Sequence, residues 1–128
     1  MIVLDSDVVI DIQRGIPPAV IWFNGLPQSE TVIIPGYVAM EVICGTRDDA
    51  DQRKTERWLS SCRIVWLEPD LCQQAYKTLL SVHLQNAIDE FDVLIAQVAI
   101  SLQQPLYTFN QKHFDAIAGL KTLRPYTR

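Results

Sequence analysis

The sequence predicts an α/β fold, a mostly parallel sheet covered by helices on both faces. Two observations carry this. Short β-branched runs alternate with helical stretches along the whole chain, the pattern of strand–helix–strand units. Two of the helical stretches, around Glu41 and after Asp92, are apolar nearly all round, which suits helices packed inside rather than lying on a surface.

Taken in order, residues 2–4 (Ile-Val-Leu) read as a buried strand ending at a carboxylate, Asp5. Residues 8–14 form a short helix closed by Gly15. Pro17 and Pro18 suit the entry to a second helix, which runs to Asn24 and stops at Gly25. Residues 31–34 are a β-branched strand halted by Pro35, and 36–44 a helix closed by Gly45. Residues 48–61 make a polar, amphipathic helix with acids in its first turn, where the helix dipole favours them. A strand over 63–67 and a helix over 70–83 follow. The strongly apolar helix over 89–103 ends before Pro105. A strand at 106–109, a short helix at 111–117 and a last edge strand at 121–123 complete the pattern. Sheets of this kind bind ligands beyond the carboxyl ends of their strands.

At 128 residues the chain fits one domain, residues 1–128, able to bury a core without disulfides or a structural metal. Apolar residues make up 48% and charged residues 20%, as in ordinary globular proteins. No apolar run is long enough to span a bilayer, and the first residues lack a basic segment before their apolar stretch. A cytoplasmic location without membrane contact is therefore expected. Cys44, Cys62 and Cys72 form no CxxC pair and stand at no zinc-like spacing to His83 or His113, so they read as reduced, partly buried thiols. A net charge of −4 argues against a large basic nucleic-acid surface. It does not exclude a nuclease, because acidic metal ligands make the metal-free protein look more acidic than the working one.

The placement of the acids is the informative feature. Asp5 ends the first buried strand and so faces the ligand crevice. Glu41 lies in Tyr37-Val38-Ala39-Met40-Glu41-Val42-Ile43-Cys44, and Asp92 opens Val93-Leu94-Ile95-Ala96-Gln97-Val98-Ala99-Ile100. An ionised carboxylate among apolar neighbours needs a partner or a cation. Taken singly, each acid is explained as well by an arginine partner or a gap open to solvent. Few cations are placed to neutralise all three; Arg14 is one, and the rest lie mainly in the polar helix and the C-terminal tail. A shared divalent cation is the simpler solution, and oxygen-only ligands suit Mg²⁺ or Mn²⁺. Such a site can activate water for attack on a phosphodiester.

At these residues the chain resembles the PIN-domain family. The opening Ile2-Val3-Leu4-Asp5-Ser6-Asp7-Val8-Val9-Ile10-Asp11, the segment Pro35-Gly36-Tyr37-Val38-Ala39-Met40-Glu41-Val42, the run Asp92-Val93-Leu94-Ile95-Ala96, and Leu106-Tyr107-Thr108-Phe109-Asn110-Gln111-Lys112-His113-Phe114 are similar to its four motifs, in order. Size and pattern look most like the VapC-type toxins of toxin–antitoxin pairs. The resemblance implies a Rossmann-like three-layer α/β/α sandwich. It implies a Mg²⁺- or Mn²⁺-dependent endoribonuclease acting on structured RNA such as tRNA or rRNA, a homodimer, and inhibition by a VapB-like antitoxin. It carries Asp5, Glu41 and Asp92 over as the catalytic and metal-binding acids, with Ser6, Thr108 and Asn110 as polar supports.

Two positions depart from the family pattern. His113 stands where many members have a fourth acid. A histidine there can bind metal, hydrogen-bond a phosphate or move a proton, and equally can be a satisfied surface residue; its presence favours one tightly held metal over two. Asp7 stands where a neutral polar residue is common, and reads either as an extra ligand or, the favoured reading, as the cap of the following helix. Asp89, on the same helical face as Asp92, reads as a favourable acid in a first turn or else as a neighbour of the metal site; Asp11 reads as the partner of Arg14, and Asp115 as outside the site. Trp22 and Phe23 read as core, or else as a face for an antitoxin helix; Trp58 and Trp66 read as core. The alternatives are a PIN fold kept only as an interaction module, a haloacid-dehalogenase-type phosphatase using Asp5-Ser6-Asp7, and a phosphoacceptor receiver domain. The phosphatase lacks the expected turn after Asp7, and the receiver lacks an aspartate at the tip of its third strand.

Overall fold

The structure, a computed structural model, describes residues 1–128. Five strands form one sheet: β1 (Ile2–Leu4), β2 (Val32–Pro35), β3 (Arg63–Val65), β4 (Leu106–Tyr107) and β5 (Thr122–Leu123). Every pairing is parallel, in the order β3-β2-β1-β4-β5, so the sheet is wholly rather than mostly parallel. The chain builds outward from β1 to β3, then crosses back to add β4 and β5 on the other side. That reversal falls between β1 and β4, where Val3 pairs with Leu106 and Leu4 with Tyr107. A reversal of strand order opens a crevice beyond the carboxyl ends of the two strands.

The helices are α1 (Ser6–Gln13), α2 (Pro17–Asn24), α3 (Gly36–Cys44), α4 (Asp49–Leu59), α5 (Pro69–Val82), α6 (Glu90–Leu102) and α7 (Gln111–Phe114). Successive strand residues point to opposite faces. Ile2, Val3 and Leu4 are all buried, so helices cover both faces of β1, the α/β layering that the alternating pattern predicts. Val8, Val9, Ile33, Ile34, Val38, Ile95, Val98 and Leu106 join them in one continuous core. Full burial of each such side chain contributes about 1.5–3 kcal/mol. No helix is long and apolar enough to cross a membrane.

Where elements differ from expectation, a specific contact explains it. Helix α1 begins at Ser6 because Asp5 caps it, Oδ1 accepting the Ser6 N–H at 2.8 Å. At its other end Gly15, at φ +69°, takes the left-handed turn that closes it. Strand β4 stops at Tyr107 because the Phe109 N–H leaves the ladder for Asp7 Oδ2, at 2.9 Å. The short helix α7 ends at Phe114, well before residue 117. Strand β3 ends at Val65, and Trp66 is 56% exposed rather than in the core. Its ring lies on Gly36, where a Cβ would come within 2.4 Å of it, and meets Tyr37 edge-on. Cys44 is exposed, while Cys62 and Cys72 are partly buried.

Asp11 does not pair with Arg14. It is buried, and its Oδ2 accepts from the Tyr126 hydroxyl and from Arg128 Nε, each at 2.9 Å. A C-terminal segment returning over α1 supplies those donors, which a three-residue spacing could not reveal. Trp22 packs on Tyr107 and Tyr126, and Phe23 on Trp58, so these aromatics are engaged inside the protein. On α2 the large hydrophobic residue left outside is Ile21, 73% exposed.

Candidate metal centre

The crevice beyond β1 and β4 is floored by Asp5, 4% exposed at the junction of β1 and α1. Thr108, fully buried just after β4, donates its hydroxyl to Asp5 Oδ2 at 2.7 Å and accepts the Asn110 N–H at 3.0 Å. Both carboxylate oxygens of Asp5 therefore hold one hydrogen bond each, from opposite sides of the strand reversal. Burial pushes Asp5 up to about 6, with the charge of Asp7 and then Asp92 adding to it against the two hydrogen bonds.

Asp7 is not the helix cap; Asp5 is. Asp7 lies inside the first turn of α1 and reaches across to the Phe109 N–H, tying the turn after β4 to the helix after β1. Burial raises its pKa against the hydrogen bonds from Phe109 and Val8 and the nearby Arg128.

Glu41 stands on α3, exposed on its outer side, with Met40 beside it 46% exposed. The helix is thus less enclosed than its apolar sequence suggests. The Glu41 carboxylate makes no hydrogen bond and no ion pair within the chain. Partial desolvation, then the charges of Asp5, Asp92 and Asp89, push it up to about 7. Asp92 lies at the third position of α6 in a reciprocal cap: Asp89 Oδ1 accepts the Asp92 N–H at 2.9 Å, and Asp92 Oδ2 accepts the Asp89 N–H at 3.0 Å. His113 Nε2 is 2.8 Å from the same Oδ2. His113 is therefore joined to the acids rather than a free surface residue.

Asp5, Glu41 and Asp92 are near enough for the charges of Asp5 and Asp92 to act on Glu41, with Thr108 bonded to Asp5 and His113 to Asp92. Ser6 and Asn110 contribute backbone N–H groups, to Asp5 and Thr108 respectively; their side chains make no hydrogen bond there. Asp115 is exposed and apart. Sequence reasoning missed the cross-link made by Asp7 and the cap made by Asp89. The Asp-x-x-Asp spacing of residues 89 and 92 was the available signal for the second.

The donor set fits a hard divalent cation: it is all oxygen, carries like charges that repel one another, and leaves the Glu41 carboxylate and Asp92 Oδ1 without protein partners. As the side chains stand, no three His, Cys, Asp or Glu groups are close enough together to hold an ion.

Comparison with known proteins agrees with this arrangement. The family model for the PIN domain matches residues 2–120. No curated protein matches the chain in sequence. Among solved structures, a toxin–antitoxin complex from Klebsiella pneumoniae superposes with a TM-score of 0.75 at 22% identity, covering 100% of both chains. VapBC-1 from nontypeable Haemophilus influenzae gives 0.78 at 22%, covering 96% of this chain and 97% of that one. VapC20 of Mycobacterium tuberculosis, a toxin that cleaves the sarcin–ricin loop, gives 0.73 at 17%, covering 98% and 100%. At these identities the superpositions establish a shared fold, and together with the family match over residues 2–120 they show that the chain belongs to the PIN domain family.

Proposed function

We propose that this chain is a single-domain, VapC-type endoribonuclease, the toxin of a toxin–antitoxin pair, using Mg²⁺ or Mn²⁺ to hydrolyse structured RNA such as tRNA or rRNA. The observation that carries the reading is the convergence of Asp5, Glu41 and Asp92 at the strand reversal, with Asp5 and Glu41 pushed up to about 6 and about 7 by desolvation and mutual repulsion. Mutually repelling carboxylates favour a bound cation, and desolvated acids perturbed by specific charged neighbours are candidates for a working site. Asp5, Glu41 and Asp92 would hold the ion, which when bound supplies an acidified water and neutralises charge on the phosphate.

The chain's own groups then have distinct tasks. Thr108 and the Ser6 N–H fix Asp5 in one orientation. The Asp89 N–H and His113 fix Asp92, leaving its Oδ1 open. Glu41 is untethered and holds its proton up to about 7 in the metal-free protein, so it is free to turn toward the ion and would give up its proton on binding it. Ser6 and Asn110 support the site through their backbone. Relatives seen as toxin–antitoxin complexes favour a VapB-like antitoxin as partner and a cytoplasmic setting. A homodimer is favoured by Tyr76 and Leu80, exposed one turn apart on α5, with exposed Leu84 just beyond.

The test is incubation of the antitoxin-free protein with total tRNA and rRNA, in Mn²⁺ or Mg²⁺ and in EDTA, beside Asp5→Asn. Discrete cuts that need metal and vanish in the variant are expected. Folded, metal-loaded protein that cuts none of these RNAs would leave the chain as a binding module for them.

A further inference from the structure

Beside the acid crevice lies a second cavity of about 560 Å³, between α1, α3 and α4, and Glu41 lines it. The cavity wall carries three cations, Arg14, Arg47 and Lys54, in a chain whose net charge is −4. Arg47 is held by Asp51, 3.6 Å away. Arg14 and Lys54 have no carboxylate within ion-pair distance: the chain's ion pairs are Met1–Glu30, Arg47–Asp51, His113–Asp92 and Arg128–Asp11. The acid nearest to Arg14 in sequence, Asp11, is instead taken by Tyr126 and Arg128. Nor do Arg14 or Lys54 figure among the charges acting on Glu41, which are all negative. Two cations thus face one cavity without a partner in the protein.

We propose that this cavity carries the sugar–phosphate backbone of the nucleic acid as it leaves the acid crevice, with Arg14 and Lys54 contacting phosphates that flank the one at Asp5, Glu41 and Asp92. The proposal rests on the nuclease reading for the identity of the strand. Three features favour a polyanion over a docked peptide helix. Glu41 belongs to both the cavity wall and the acid crevice, the other unpaired charges on the wall, Arg14 and Lys54, are cationic, and the wall is mostly polar, Ile10 and Val42 being the hydrophobic residues lining it. A peptide helix in a groove needs a row of apolar pockets, which this wall does not offer. Phosphate contacts position a strand without reading its sequence, so the cavity sets register and affinity rather than base choice.

The experiment measures the affinity of the whole chain for total tRNA by fluorescence anisotropy in EDTA, across roughly 50–300 mM KCl. Arg14→Ala/Lys54→Ala is compared with Lys77→Ala/Lys121→Ala, an equal charge loss on surfaces that do not line the cavity. Arg14 and Lys54 line the cavity, Lys77 and Lys121 do not, and all four are exposed, so folding is not at stake. The cavity variant is expected to lose about tenfold in affinity or more and to flatten the log–log salt slope by about 1.4, at about 0.7 for each single-strand phosphate contact. The control pair is expected to change little. Equal losses in the two variants, or an unchanged slope, would overturn the proposal. Cleavage separates it from the nuclease reading. Wild-type protein that binds through Arg14 and Lys54 but never cuts defeats the reading and keeps the cavity. Protein that cuts with KM unaltered in the cavity variant keeps the reading and defeats the cavity.

Discussion

The two sides of the carboxylate crevice are built differently. On the sheet side, Asp5 and Asp7 are cross-linked to the turn after β4 by three hydrogen bonds of 2.7–3.4 Å from Thr108 and Phe109. That turn is itself backed by Tyr126, edge-on to Phe109, and by the Arg128 guanidinium 4.2 Å from its ring centre. On the helix side, Glu41 has no partner and Asp92 is held by its own helix cap and by His113. One side is preorganised by residues a hundred positions apart, and the other keeps freedom to close on a ligand. Loss of a sheet-side hydrogen-bond donor should therefore disturb both fold and site, whereas changes on the helix side should disturb the site alone.

The largest effect expected is that of Asp5→Asn. Cleavage should fall by about 10²-fold or more, as when a group that stabilises developing charge is removed. Circular dichroism should show an intact fold, because asparagine can still cap α1. A variant that unfolds instead would erase the distinction between chemistry and scaffold at this position. Next is Thr108→Val, which keeps the shape but leaves a buried Asp5 oxygen without its donor. Loss of about 1–3 kcal/mol in denaturant unfolding is expected, together with about 10–100-fold weaker metal binding, as for other residues that orient a ligand. His113→Ala, on the helix side, should weaken Mn²⁺ binding by about tenfold while leaving the unfolding midpoint nearly unchanged. A large stability loss there would remove the contrast between the two sides.

The pH dependence sharpens the same contrast. Asp5 and Glu41 bind their protons more tightly in the folded chain than in the unfolded one. Their contribution to stability is thus fully present below the ordinary carboxylate range and is lost as pH rises through about 6 and about 7. In EDTA, Tm of the wild type should fall between about pH 4.5 and about pH 7.5 by more than that of Asp5→Asn/Glu41→Gln. Mg²⁺ should restore Tm more at the higher pH, where the carboxylates are charged. Parallel Tm–pH curves for the two proteins would mean that these acids are not strained in the fold. The smallest effect expected is that of Tyr126→Phe, about 1 kcal/mol in unfolding for one hydrogen bond to Asp11, with cleavage affected less than by Thr108→Val.

Much of this was legible in the sequence because it is local. Alternating strands and helices gave the parallel sheet. Asp5 was placed at a strand end by the run Ile2-Val3-Leu4, and glycine and proline punctuated most helix ends. What was illegible depends on contacts distant in the chain. The Asp7–Phe109 bond, the Tyr126 and Arg128 partners of Asp11, and the exposed position of Trp66 over Gly36 each join segments 30 or more residues apart. The exposure of Glu41 eluded the pattern for another reason. An apolar helix at the rim of a crevice has the same sequence signature as one in the core, and the structure alone tells them apart.

The central claim is that Asp5, Glu41 and Asp92 form one cation site, and calorimetric titration of Mn²⁺ into the metal-free protein tests it most directly. The account predicts one site per chain that is lost in Asp5→Asn, weakened in Glu41→Gln and in Asp92→Asn, and untouched in Asp49→Asn and Asp115→Asn, whose acids lie elsewhere on the surface. Binding that survives Asp5→Asn, or that falls equally with the remote acids, would contradict it.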